Sequence, residues 1–187
     1  MPPVLLPHPI TICGLSELGE HEAAGISHVV TIIDPDFPDP EDFQRYAPHR
    51  RALWRFHDIV NEAKGMRAPS RDDVAAILEY GRRLRDEAVD HLLVHCHMGI
   101  SRSTATVAIL LAQHHLGRER DAFRAIRAIR PHSWPNSRMI GFADELLERG
   151  GALVKAMREH HVAMARAYPD LAALLKQSER AAEVPDV

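Results

Sequence analysis

Nine consecutive residues constrain this chain more than any other stretch: His95-Cys96-His97-Met98-Gly99-Ile100-Ser101-Arg102-Ser103. The apolar run Leu92-Leu93-Val94 precedes them, and a run without any charge, Thr104 to Ala112, follows. The pattern predicts a short buried strand, a tight loop containing a glycine, and a buried helix that starts inside the loop. A helix apolar on every side belongs at the centre of a fold. The loop has a thiol at its start and a guanidinium at its end, with five residues between.

That arrangement suits a tetrahedral oxyanion. The first N–H groups of a helix lack intrahelical acceptors and carry the positive end of its dipole. A loop feeding such a terminus can aim successive N–H groups at one anion. Gly99 can take the left-handed backbone that lets the loop curl inward. Arg102 offers a planar fork matched to two phosphate oxygens. Thiols at helix N-termini ionise more readily than free ones, and a thiolate beneath a bound phosphate is a nucleophile aimed at phosphorus. An ordinary buried cysteine would leave Gly99 and Arg102 unexplained. A metal site built on His95, Cys96 and His97 is disfavoured, because neighbouring strand residues point to opposite faces and no second cysteine pair exists.

His-Cys-x-x-Gly-x-x-Arg-Ser resembles the signature loop of the cysteine-dependent protein tyrosine phosphatase superfamily, in particular its compact dual-specificity-like branch; the matched residues are His95, Cys96, Gly99, Arg102 and Ser103. The resemblance implies a phosphocysteine intermediate on Cys96, phosphoryl oxygens held by Arg102 and by the loop His97-Met98-Gly99-Ile100-Ser101, and a Ser103 hydroxyl that helps the thiolate leave. It implies that His95 fixes the loop by hydrogen bonding, and that no metal or cofactor is used. It covers about residues 10 to 149.

The leaving oxygen of a phosphomonoester needs a proton, which a carboxylic acid over the loop supplies before acting as base toward water. In relatives of this kind that aspartate follows a strand some thirty to forty residues before the nucleophile. Asp58 stands 38 residues before Cys96, after the strand-like Ala52 to His57. Asp34, Asp36 and Asp39, after the preceding strand, are the competing carboxylates. Trp134-Pro135-Asn136 resembles the segment whose asparagine supports the loop in the same family, and Asn136 is equally suited to cap the helix after it.

Length and composition bound the rest. The 187 residues fit one domain, 45% hydrophobic, with net charge -3. That balance argues against a general nucleic-acid-binding surface. Two cysteines, Cys13 and Cys96, make no disulfide framework. Cys13 reads as core packing, or as a redox partner of Cys96. Met1 to Pro9 lacks basic residues and does not read as a signal peptide. No run reaches membrane-spanning length. A cytoplasmic protein is expected, with no membrane partner. Arginine outnumbers lysine 20 to 3, the bias of a GC-rich, bacterial-type genome.

Strands are expected near 10–13, 28–33, 53–57 and 91–95. Helices are expected at 16–24, 41–49, 70–87, 103–116, 119–129, 138–149, 152–167 and 170–183. The alternation predicts an α/β fold: a mostly parallel central sheet of four to five strands with helices on both faces, ligands binding at the carboxyl ends of the strands. Residues 1–150 read as the catalytic domain and 151–187 as a helical extension packing on it or on a partner. The expected reaction is metal-independent hydrolysis of a phosphomonoester. The substrate would be a phosphorylated protein (phosphotyrosine, with phosphoserine or phosphothreonine also open) or a small phosphomonoester. The loop interior holds no lysine, which does not favour inositol phosphates. The rival readings are a non-catalytic phosphate-binding module, a sulfur transferase and an arsenate reductase.

Overall fold

A computed structural model describes residues 7–186. Most of the stretch read against a signal peptide, residues 1–6 of Met1 to Pro9, lies outside the described residues. Four strands, β1 (Ile10–Cys13), β2 (His28–Ile33), β3 (Arg50–Arg55) and β4 (Leu92–His95), form one sheet in the order β1-β4-β2-β3. Every pairing is parallel. Strands β2 and β4 are central and buried throughout, in keeping with their predominant Val, Ile and Leu content.

Alternate side chains feed two cores. Val30, Ile32, Leu92 and Val94 face a large cluster built with α1 (Arg71–Leu84), α2 (Arg102–His114), α3 (Glu119–Ile129), α4 (Ser137–Leu146) and α5 (Ala152–Ala167). Val29, Leu93 and Cys13 face a smaller one, covered by two 3-10 turns, Leu15–His21 and Glu41–Arg45. Both faces are therefore covered, but unequally. Helix α2 is buried from Arg102 to Ala112, the whole uncharged run from Thr104 included, which places this helix at the centre of the larger core.

Several boundaries differ from the sequence expectation. The segments at 16–24 and 41–49 close as 3-10 turns. In the first, Gly14 donates its N–H to Glu17 Oε2 at 2.6 Å. In the second, Pro48 forces the chain before it to stay extended, and the Tyr46 hydroxyl donates to Leu18 O at 2.7 Å. Strand β3 starts three residues before and ends two residues before the expected 53–57, because its register follows β2, His28 opposite Arg50 through Ile33 opposite Arg55. Phe56 then turns into the core, fully buried.

Helix α4 stops at Leu146, not at 149. The Asp144 carboxylate accepts the N–H groups of Gly151, Leu153 and Val154 and so starts α5 from the end of α4. The last helix, α6 (Pro169–Leu175), ends eight residues before 183. Ser178 Oγ donates to the Leu175 carbonyl and accepts from Arg180 N, which turns the chain before a final 3-10 turn, Ala181–Glu183. Among the described residues no helix is long and apolar enough to cross a membrane.

Candidate active site

The nine-residue stretch forms the turn from β4 into α2, at the carboxyl end of the central strands. Its backbone is held from outside. Leu15 N donates to His97 O at 2.9 Å, Arg130 Nη2 to Met98 O at 3.1 Å, and Trp134 N to Ile100 O at 2.7 Å. With these carbonyls tied outward, the loop presents its N–H groups to the interior. Among the described residues, no N–H from His97 to Arg102 donates to a backbone carbonyl.

Gly99 has φ +68, and a Cβ there would lie 2.5 Å from the Cys13 carbonyl carbon. Only glycine permits both this conformation and this approach to the end of β1. Gly14 is its counterpart across the contact, where a Cβ would meet His97 O at 2.9 Å.

Cys96 is 2% exposed at the base of the loop, with Sγ 3.2 Å from Ser103 Oγ. Arg102 is also buried. Its Nη1 donates to Asp34 Oδ1 and to Phe56 O, both at 2.6 Å. Nε is buried without a partner among the described residues. The guanidinium is thus fixed through one nitrogen while its Nε–Nη2 edge stays available as a fork. His95 Nε2 lies 2.8 Å from Thr31 Oγ1. Burial pushes the His95 imidazole down to about 4, so it is neutral at pH 7 and suited to hydrogen bonding rather than to charge.

Asp58 sits across the loop mouth. Its Oδ1 accepts from Ser101 Oγ at 2.5 Å and from Asn136 Nδ2 at 3.0 Å. Asn136 also accepts from Met139 N at 3.2 Å, so it caps α4 and holds Asp58 at once. Burial alone would raise the Asp58 carboxyl. The guanidinium groups of Arg180 and Arg102, with the hydrogen bonds from Ser101 and Asn136, outweigh that and hold it below the usual carboxylate range. Among the competing carboxylates, Asp34 is tied to Arg102 and Asp39 pairs with Arg55 on the outer side.

Four features of the site were not singled out by the sequence reading. The Glu17–Arg130 pair (2.7 and 2.9 Å) braces the loop across 113 residues of chain. Gly14, the Asp34 carboxylate on Arg102, and Arg180 beside Asp58 complete the list. Only Gly14, directly after an apolar strand, carried a local signal. Cys13 is buried at the end of β1, and burial pushes its thiol up to about 12, the behaviour of a packing residue. A cavity of about 570 Å³ contains Cys96, Asp58, Asp34 and Arg102 and is walled on one side by α6. No cluster of three or more potential metal ligands occurs among the described residues.

No protein-family model matches the chain. The human protein phosphatase Slingshot homolog 3 is 31% identical over 149 residues, covering 79% of this chain and 20% of that protein. The chain therefore spans about a fifth of the length of the curated relative it matches. Two solved structures share the fold. A mouse putative dual specificity phosphatase superposes with a TM-score of 0.57 at 20% identity, over 82% of this chain and 92% of that one. The human tyrosine phosphatase-like serine/threonine/tyrosine-interacting protein does so with a TM-score of 0.55 at 24% identity, over 79% and 96%.

Proposed function

This chain belongs to the cysteine-dependent protein tyrosine phosphatase superfamily, and from that premise we propose that it hydrolyses phosphomonoesters through a phosphocysteine on Cys96. The observation that carries the reading is a loop around a buried thiol whose His97, Met98 and Ile100 carbonyls are drawn outward, while among the described residues none of its N–H groups from His97 to Arg102 meets a backbone carbonyl. Such a loop has lost its internal acceptors and gains them back only from a bound oxyanion.

In this reading the phosphoryl oxygens take the loop N–H groups and the free Nε–Nη2 edge of Arg102. The Cys96 sulfur forms a bond to phosphorus as the P–O bond to the leaving alcohol or phenol breaks. Asp58 gives its proton to that oxygen. Water then attacks phosphorus, Asp58 takes the water's proton, and the S–P bond breaks with the electron pair returning to sulfur beside the Ser103 hydroxyl. In the free protein Asp58 is ionised. An arriving phosphate dianion opposes the two guanidinium groups and favours the protonated acid that the first step needs. Asp58 is preferred over Asp34 because the Asp34 carboxylate is already committed to orienting Arg102.

The cavity rim favours an aryl phosphate. Met98 and Leu174 stand exposed at its mouth, 67% and 65%, and Met66, Ile100 and Leu171 line it. A phosphotyrosine ring fits such a rim better than the short side chains of phosphoserine or phosphothreonine, with a small aryl phosphate as the minimal substrate. Residues 1–150 are then read as the catalytic unit, and the stretch from Leu171 to Arg180 of the extension after it adds a wall to the cavity. A thiolate nucleophile requires a reducing compartment, as the cytoplasm provides.

The test is turnover of p-nitrophenyl phosphate by the fully reduced protein in excess EDTA, with rapid acid quench and mass spectrometry of the Cys96 peptide. Turnover with phosphate on Cys96 is the expected result. An inactive but phosphate-binding protein would make it a binding module, and thiosulfate turnover would make it a sulfur transferase.

A further inference from the structure

The chain beyond Tyr168 ends on the candidate site. Leu171, Leu174 and Leu175 of α6, with Ser178 and Arg180 after it, line the same cavity as Cys96 and Asp58. Arg180 is the unusual member, because it is only 4% exposed. A buried guanidinium is costly unless it is paired and fully hydrogen-bonded. Here Nε donates to Glu183 Oε2 at 2.6 Å and Nη2 to Trp134 O at 2.8 Å. Nη1 lies 3.5 Å from Asp58 Oδ2. Glu183 is itself buried and accepts the Ser137 N–H at the start of α4.

The two oxygens of Asp58 therefore have different holders. Ser101 and Asn136 grip Oδ1, and Arg180 faces Oδ2. With only the first pair, the carboxyl could turn about its own bond. The third contact, a charge contact at 3.5 Å on the other oxygen, opposes that turn. Arg180 is also anchored independently of the phosphate loop, to the Trp134 carbonyl and Glu183, so it can keep its place while the loop takes up a ligand.

We propose that Arg180 is a positioning residue for the acid step: it fixes the Asp58 carboxyl over the phosphate loop and tunes how readily that carboxyl holds the proton for the leaving oxygen. The proposal rests on the reading of Asp58 as general acid. The charged and titratable groups around Asp58 are Arg180 and Glu183 from the C-terminal turn, Arg102 from the start of α2, His97 within the loop, and His57 beside it in the chain, and the Cys96 thiol and the Asp34 carboxylate line the same cavity. The two guanidinium groups favour ionised Asp58, and Glu183 works against them. Without the Arg180 charge, Asp58 keeps its proton to higher pH.

The experiment compares wild type, Arg180→Gln, Arg180→Lys, Asp58→Asn and the Arg180→Gln/Asp58→Asn double variant on p-nitrophenyl phosphate and on phenyl phosphate. The second substrate has the poorer leaving group and depends more on the acid. Arg180→Gln should lower kcat on phenyl phosphate by about 10- to 100-fold, the scale of a misplaced catalytic group, and by less on p-nitrophenyl phosphate. It should also move the descending limb of kcat/KM against pH to higher pH. Arg180→Lys should return that limb toward its wild-type position. In the Asp58→Asn background, Arg180→Gln should cost nothing further.

A substrate-independent loss, an unmoved limb, or losses that multiply in the double variant would overturn the proposal while leaving Asp58 as acid. If Asp58→Asn keeps wild-type rates on phenyl phosphate, the acid reading fails and takes this proposal with it. Should Arg180→Gln not fold, Arg180→Lys carries the same test, since its loss of rate must vanish in the Asp58→Asn background.

Discussion

The two sides of the cavity are built in opposite ways. The loop from Cys96 to Arg102 is one contiguous segment, supported by the Cys13–Gly14 backbone at the end of β1 under Gly99 and by the Glu17–Arg130 brace from outside the sheet. The acid side is assembled from four separate places, with Asp58, Ser101, Asn136 and Arg180 meeting through side chains alone. The loop can be rigid because backbone contacts fix it. The acid side can be tuned because each contact is a single, replaceable side chain.

Substitutions on the two sides should therefore differ in kind as well as in size. The largest effect is on the loop side. Cys96→Ser should lower kcat by more than about 10⁴-fold, as loss of a covalent nucleophile does, with the fold and phosphate binding retained by calorimetry. On the acid side, Asp58→Asn should lower kcat by about 10²- to 10³-fold, more for phenyl phosphate than for p-nitrophenyl phosphate. If the two variants show equal losses on both substrates, the distinction between nucleophile and acid collapses.

Gly99→Ala probes the loop's backbone support. Its φ of +68 and the 2.5 Å approach to Cys13 leave no room for a methyl group. It should cost at least about 2 kcal/mol of stability, visible as a lowered urea midpoint, together with weakened phosphate binding.

A further difference separates the sides by pH. Burial holds His95, behind the loop, at about 4, and His160 and His161 of α5 at about 4 and about 3. Unfolded histidines titrate near 6.5, so below about pH 6.5 the unfolded chain binds protons that the folded one refuses. Stability should fall as pH drops from about 6.5 toward 4, by up to about 1.4 kcal/mol per unit for each histidine. His160 and His161 hold α5 to the Ser133 and Pro135 carbonyls, just before Asn136. Hydrogen exchange at pH 5 should therefore show the acid side opening before the loop.

Much of this was legible in advance where the reason was local. Cys96, Gly99 and Arg102 are close in sequence because a turn from strand to helix is short, and the uncharged run of α2 announced its burial. Asp58 was singled out by standing 38 residues before Cys96, and Asn136 by the Pro-Asn segment before a helix; the structure places these two side chains in hydrogen-bond contact with each other. The bounds of β3 and the ends of α4 and α6 were not legible. They depend on partners elsewhere: β2 for the register, Asp144 for the α4–α5 corner, and Trp134 and Glu183 for the course of the chain after α6.

What the amino-acid order determined by itself was the strand, the anion loop and the buried helix, with the thiol and the guanidinium at its two ends. Backbone geometry and hydrophobic period act over a few residues, so a short stretch suffices to specify them. Only the tertiary structure decided that Asp34 would hold Arg102, that Arg130 would brace Met98, and that Arg180 would come to rest against Asp58. Charges separated by up to 122 positions in the chain meet only once the sheet and its helices have paid the entropy of bringing them together.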